Sequence, residues 1–209
     1  MELLRKIKIL LIAFVLSINS INLIAQDYSN TIKAFEESYT LENQGKYSQA
    51  INKLKDVYDE NSYEINLRLG WLNYQLGLFT ESMSNYQKAL NLMPYSEEAK
   101  FGLILPKSAI GKWQEVITLY NEILVNSPNN TVANYRLGLI YYGQKDYQKA
   151  FNYFKKVVSL YPFNYDALIM LAWSNYQLGK LREAKILFNK VLMLSPNDKS
   201  ALEGLGLIK

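Results

Sequence analysis

Residues 71–77 read Trp-Leu-Asn-Tyr-Gln-Leu-Gly, and residues 173–179 read Trp-Ser-Asn-Tyr-Gln-Leu-Gly. The two segments differ at one position and lie 102 residues apart, which is three times 34. Four prolines recur at that shorter spacing, and they are Pro94, Pro128, Pro162 and Pro196. A chain that resembles itself at a fixed period of about 20 to 50 residues is built from stacked copies of one small unit.

Other residues keep the same 34-residue phase upstream of these prolines. Glycine stands at positions 77, 111 and 179, and the position two residues further on in successive copies holds Phe79, Trp113, Tyr147 and Leu181. Glycine adopts the left-handed conformation that ends a helix at little cost, whereas proline cannot continue a helix. Each copy is therefore predicted to contain two helices that are joined by a glycine turn and closed by a proline.

This order of small, aromatic and proline positions resembles the tetratricopeptide repeat, a helix–turn–helix unit. An earlier copy begins near Thr31, lacks the closing proline and is 32 residues long. The resemblance implies an all-α fold, a right-handed superhelical solenoid of stacked antiparallel helix pairs. The predicted repeats are 31–62, 63–96, 97–130, 131–164 and 165–198, and residues 199–209 form a partial repeat or capping helix.

Two copies depart from the pattern. The third has Gly102 and Pro106 inside its first helix, where proline removes a backbone hydrogen bond. Either this copy has simply diverged and is kinked, or the proline makes a functional bend in the groove. The fourth has Lys145 where glycine is usual, with Gly143 two residues earlier, so its turn is expected to differ.

Residues 1–25 have the pattern of a secretory signal peptide. Arg5, Lys6 and Lys8 precede the apolar run 9–16, and Ala25 precedes the expected cleavage site. The apolar run is short for a membrane span, which needs about 20 apolar residues, although an uncleaved anchor is the alternative. Residues 26–30 are expected to be a lead-in to the repeats. The sequence thus predicts an exported protein, periplasmic or at the cell surface.

The composition excludes several classes of enzyme. The chain has no His and no Cys, so it has no imidazole-dependent triad, thiolate nucleophile or Cys/His zinc site. It also has no glycine-rich phosphate loop. Removing residues 1–25 lowers the formal net charge from +4 to +2, and no basic cluster in the sequence indicates nucleic acid. The predicted protein is not an enzyme and uses neither a cofactor nor a metal.

In the family that this chain resembles, first helices line an inner groove that binds partners. Carried over to this sequence, those positions are aromatic and nearly uncharged, and Trp and Tyr are frequent anchors of interfaces. The predicted groove residues are Phe35, Tyr39, Leu67, Trp71, Tyr74, Gln75, Phe101, Leu105, Tyr135, Leu139, Tyr142, Ile169, Trp173, Tyr176 and Gln177. The alternative is that these rings pack between helices and expose only their edges.

The predicted groove favours a protein or peptide partner that is held by apolar contacts. Some relatives bind a terminal carboxylate through Lys, Asn and Arg, but this chain has apolar and aromatic residues at those positions, including Phe35, Leu67 and Tyr135. The alternative partner is a polysaccharide, because aromatic strips also stack on sugars. A third option is self-assembly through the open ends of the repeat array. The recurring Trp-x-Asn-Tyr-Gln-Leu-Gly segment is explained by duplication, or it forms two equivalent pockets.

Overall fold

The computed structural model describes residues 28–208, and every regular element in that range is an α-helix. The first helix, α1, covers residues 28–43 of this range. The others are α2 (Tyr47–Lys55), α3 (Tyr63–Gln75), α4 (Phe79–Leu92), α5 (Glu97–Ala109), α6 (Trp113–Asn126), α7 (Thr131–Gly143), α8 (Tyr147–Leu160), α9 (Tyr165–Gln177), α10 (Leu181–Leu194) and α11 (Lys199–Leu207). The predicted class, tandem helix pairs with a closing helix, is confirmed.

The predicted signal peptide and residues 26–27 of the lead-in lie outside the described residues. The remaining lead-in residues, 28–30, already belong to α1, so the helix begins earlier than Thr31. The four prolines act as predicted: α4, α6, α8 and α10 each end two residues before one.

Polar side chains begin the first helix of each later copy with the same 34-residue period. Each accepts a hydrogen bond from the backbone N–H three residues later, at 2.8–3.2 Å, which satisfies a donor that the helix leaves free. These N-cap residues are Ser62, Ser96, Asn130, Asn164 and Asp198. The series starts α11 like the other first helices, which agrees with a sixth, partial copy.

The turn between the helices of a pair has one residue in the left-handed region. Gly77, Gly111 and Gly179 have φ of 78°, 75° and 72°. The fourth copy was expected to have a different turn, and this expectation is wrong. Lys145 takes the same place with φ of 63°, because the backbone path is set by the two helices that the turn connects.

The described helices divide into two compact units, residues 28–110 and 111–208. In the described part of the N-terminal unit, α2 packs on α3, α3 on α4, and α4 on α5. Its core includes Leu54, Ile65 and Leu72, which are all fully or nearly fully buried. In the C-terminal unit, each helix from α6 to α11 packs on the next, and the core includes Leu168 and Phe188.

Small residues let an aromatic ring of the second helix lie against the first helices. Tyr86 of α4 is buried between α3 and α5, where a Cβ atom at Gly70 would lie 2.9 Å from its ring and one at Gly102 would overlap it. Burial raises the pKa of Tyr86 well above its ordinary value. In the C-terminal unit, Gly204 makes the same room for Phe188. Gly102 therefore serves the packing of α4 on α5.

Pro106 does not interrupt α5, which continues to Ala109. The proline ring is buried, and the backbone N–H of Ile110 still donates to the Pro106 carbonyl at 3.2 Å. The helix thus absorbs the proline in its last turn, where only one backbone hydrogen bond is lost.

Candidate functional site

All fifteen predicted groove residues lie on first helices, as expected from the repeat. They belong to α1, α3 and α5 in the N-terminal unit and to α7 and α9 in the C-terminal unit. Tyr39 is 52% exposed and Gln177 is also exposed, whereas Ile169 is buried. The other twelve are half-buried. Most of the rings therefore contribute to the core and also show an edge to solvent.

A buried arginine organises the groove positions of the N-terminal unit. The Arg68 side chain is 8% exposed, and its Nη2 atom forms an ion pair with Glu42 Oε2 at 2.5 Å. Its Nε–H donates to Ser38 Oγ at 3.2 Å, and its guanidinium carbon lies 3.9 Å from the centre of the Tyr39 ring. The other carboxylate oxygen of Glu42 accepts the indole N–H of Trp71 at 2.5 Å. We call Ser38, Tyr39, Glu42, Arg68 and Trp71 the Arg68 cluster.

The Arg68 cluster neutralises its own charges. A buried guanidinium needs an anionic partner, because removing it from water is costly. Glu42 meets this need and holds Trp71 in one orientation at the same time. Arg68 is thus already paired with Glu42 inside the protein. The sequence shows both charges, but their pairing depends on the packing of α1 on α3.

The aromatic groove residues of the N-terminal unit continue along α3. The Trp71 and Tyr74 ring centres are 6.1 Å apart, and Tyr74 lies 5.9 Å from Phe79 at the start of α4. Phe35 lies 6.4 Å from Tyr39 and packs with Trp71 on the core. These separations are within the range in which aromatic rings attract each other. The rings are therefore held in place before any partner binds.

In the C-terminal unit, Trp173 has different contacts. Its indole N–H donates to Ser200 Oγ of α11 at 2.8 Å. Its ring meets Phe188 edge to face at 5.1 Å and Tyr176 at 5.6 Å. Trp173 thus joins α9 to both α10 and the closing helix.

Groove residues of α7 and α9 also meet each other in this unit. Burial raises the pKa of Tyr142, and a hydrogen bond with the Gln177 side chain opposes that rise. Tyr135 lies 5.7 Å from Phe154, and Leu139 packs on the same core.

Two tyrosines that were not singled out from the sequence join neighbouring first helices. Tyr63 at the start of α3 shares a hydrogen bond with the N-cap Ser96 of α5, with 2.7 Å between the two oxygens. Tyr165 at the start of α9 donates to the N-cap Asp198 of α11 at 2.6 Å. The recurrence of Tyr63 at 165, three repeats on, was the available signal.

Within residues 28–208, no group of three or more acidic side chains comes together as metal ligands would. In the same range, none of the helices combines the length and the apolar character that a membrane crossing requires. The groove residues on the first helices present half-buried rings and amide groups, which are suited to non-covalent contacts.

The chain matches family models described as tetratricopeptide repeat over residues 35–97, 108–165 and 141–206. These matches cover more than half of the sequence, and the chain belongs to the tetratricopeptide repeat family. This fold supports the interpretation of the chain as a scaffold for protein–protein interaction, and it implies protein or peptide partners.

Solved structures of similar fold come from the same family. A tetratricopeptide repeat protein from Parabacteroides merdae has a TM-score of 0.73 at 21% identity, covering 85% of this chain and 71% of that one. A MamA protein has a TM-score of 0.68 at 25% identity, covering 78% and 91%. MamA from Desulfovibrio magneticus RS-1 has a TM-score of 0.68 at 21% identity, covering 81% and 97%.

A curated relative is the human protein O-mannosyl-transferase TMTC1. It is 27% identical over 150 residues, which are 68% of this chain and 17% of that protein. The chain thus spans about a sixth of the length of this relative.

Proposed function

We propose that this chain is an exported adaptor that binds a segment of another protein in an assembly of the cell envelope or surface. The supporting observation is the set of rings on the first helices, which the Arg68 cluster and the Trp173 contacts hold in fixed orientations. Rings that are fixed beforehand lose little conformational entropy on binding, so more of their contact energy contributes to affinity.

The nearly neutral character of these positions suits an apolar or aromatic partner segment. The buried Arg68 forms an ion pair with the half-buried Glu42, and Tyr39 shows half of its surface to solvent. Exposed Tyr rings on a rigid support are common contact residues in interfaces. Export is supported by the basic start, apolar run and Ala25 of the N-terminal 25 residues.

Photo-crosslinking tests the groove. A benzophenone amino acid at position 39, in the full chain and in its own cells, is expected to capture one or a few proteins. The same group at Ser84, an exposed position on the second helix α4, is the control and should not capture them. Identical adducts from both positions would rule out binding through the first helices.

Substitutions at a matched pair of tyrosines separate the loss of a contact with the partner from a loss of stability of this protein. Tyr39 stacks on Arg68, and Tyr58 lies under Lys88 at 5.4 Å, so each ring has a cationic neighbour. Tyr39→Ala is expected to reduce recovery of the partner about tenfold, and Tyr58→Ala is expected to leave it unchanged. Equal recovery with both variants, or capture of glycans and no protein, would contradict the proposal.

Export is tested separately by N-terminal sequencing of the protein from cell fractions. The expected mature chain begins at Gln26 and is found outside the cytoplasm. Recovery of the whole population in the cytoplasm with Met1 intact would refute export without affecting the groove.

A further inference from the structure

The second helices of the C-terminal unit carry an excess of positive charge. Together α8 and α10 contain six Lys and Arg residues and one acidic residue, Glu183. The second helix α4 has one Lys and one Glu, and α6 has two Glu and no basic residue. The short second helix α2 also has two Lys and no acidic residue, so the excess of positive charge is found on α2, α8 and α10 and is absent from α4 and α6.

Most of these cations have no acidic partner. Lys149 pairs with Asp146 at 2.9 Å. Within residues 28–208, none of the other basic residues of α8, α10 and the turn before α10 forms an ion pair, and these are Lys155, Lys156, Lys180, Arg182, Lys185 and Lys190. Uncompensated like charges on neighbouring helices repel each other and produce a positive potential that attracts anions.

Two of the cations converge on one aromatic ring. Lys155 Nζ lies 5.6 Å and Lys180 Nζ 4.5 Å from the centre of the Phe151 ring. Because they share this centre, the two nitrogens are no more than about 10 Å apart. The electron-rich face of a ring attracts an ammonium group, so Phe151 keeps together two charges that would otherwise separate.

We propose that Phe151, Lys155 and Lys180 are the centre of a second interaction surface, which binds an acidic segment of a protein partner. In an extended segment, side chains two residues apart point the same way and are about 7 Å apart. Two carboxylates at that spacing can each reach one of the two ammonium groups. Phe151 and Lys155 lie on the second helix α8 and Lys180 directly precedes the second helix α10, whereas the proposed groove residues lie on first helices.

The choice of a protein segment among anions rests on the proposed function, whose partner is a protein. The test measures fluorescence anisotropy of a labelled ten-residue glutamate peptide with the full chain, at 50 mM and 500 mM NaCl. We expect binding at low salt that weakens at high salt, because exposed charges are screened.

The variant Lys155→Gln/Lys180→Gln is expected to bind the peptide about tenfold more weakly. The control Lys33→Gln/Lys55→Gln changes the net charge equally in the N-terminal unit and should bind like the wild type. Phe151→Leu keeps an apolar side chain but removes the ring, and we expect an intermediate loss. Circular dichroism of each variant confirms that the fold is retained.

Equal weakening by both double variants would overturn the proposal, since net charge alone would then explain binding. Inorganic polyphosphate that binds as tightly as the peptide would overturn the assignment to a protein segment. Tyr39→Ala should leave peptide binding unchanged, so failure of this surface and failure of the groove are distinguishable.

Discussion

Repeats 63–96 and 165–198 contain the same local sequence around Trp71 and Trp173, yet the two indoles bond in opposite directions along the chain. Trp71 donates backward to Glu42, 29 residues earlier in α1. Trp173 donates forward to Ser200, 27 residues later in α11. In both segments the first five residues end a 13-residue first helix, and the last residue is a left-handed glycine.

The local sequence therefore sets the helix, the turn and the side of the helix on which the indole lies. It does not set the partner of the indole, because that partner comes from a neighbouring copy with its own sequence. In the N-terminal unit the partner is half of a buried ion pair, and in the C-terminal unit it is a neutral hydroxyl. Substitutions in these two neighbourhoods should consequently differ in cost.

The largest difference is expected for the two indole partners. Glu42→Ala leaves the Arg68 charge buried without a partner and should lower the free energy of unfolding by about 3 kcal/mol. Ser200→Ala removes one neutral hydrogen bond and should cost about 1 kcal/mol. Urea unfolding followed by circular dichroism measures both. Equal losses would show that the Arg68 pair contributes no more than a hydroxyl.

The next effect concerns the glycines beneath the aromatic rings. Gly102→Ala forces a methyl group against the buried Tyr86 ring, and Gly204→Ala does so against Phe188. Each should destabilise by about 2 kcal/mol through overpacking. Gly206→Ala, where no atom lies within 4 Å of the added carbon, is the control and should cost nothing. If all three variants melt at the same temperature, the ring contacts are not tight.

The turn that follows each first helix gives an effect of opposite sign. Gly77 and Gly179 adopt the left-handed conformation without strain, but Lys145 has a Cβ atom that opposes it. Lys145→Gly should therefore raise the free energy of unfolding by about 1 kcal/mol, and Gly179→Ala should lower it by about as much. Thermal unfolding monitored at 222 nm measures both. A destabilised Lys145→Gly protein would show that the lysine side chain makes a favourable contact that outweighs the strain.

The smallest effect concerns the hydrogen bonds that Tyr63 and Tyr165 make to N-cap residues. Tyr165 bonds to Asp198, and this bond, together with backbone N–H donors, lowers the pKa of the Asp198 carboxyl below its ordinary value. A carboxyl group whose pKa is lower in the folded than in the unfolded protein stabilises the fold at pH values above its unfolded pKa. This stabilisation is lost as the pH falls through the pKa of the folded protein. Tyr63 bonds to Ser96, whose hydroxyl does not titrate, and also to Glu98 at 3.3 Å, a carboxylate that a Ser96 variant retains.

Asp198→Asn keeps an N-cap acceptor but cannot ionise. The wild type should be slightly more stable than this variant at pH 7, and the difference should be smaller at pH 3. Ser96→Asn provides the comparison and should show no such pH dependence relative to the wild type. A constant difference between wild type and Asp198→Asn across this pH range would contradict an ionised contact.

Much of the fold could be predicted because each repeat carries its own signals. The prolines mark where second helices end, and the 34-residue series of Ser, Asn and Asp was available as a signal for where first helices begin. The turn at Lys145 could not be predicted from its residue type, since the geometry of the two joined helices overrides the preference of lysine.

The candidate site was predictable only in part. The period places the fifteen groove residues on first helices, but not their degree of burial or their partners. Ile169 is buried and Gln177 is exposed, although their counterparts Leu67 and Gln75 in an earlier repeat are both half-buried. The sequence also does not show that two ammonium groups lie near the Phe151 ring, because Lys180 comes 29 residues after that ring.

The amino-acid order thus determined the kind of unit, its length and the side of each helix that meets its neighbours, because these depend on interactions within about four residues. The tertiary structure alone decided that Arg68 lies buried against Glu42, that Tyr86 rests on Gly102, and that two lysines share Phe151. Each of these contacts joins residues of different helices. Their energy therefore depends on which side chains meet when the copies stack, and a repeated pattern does not specify that.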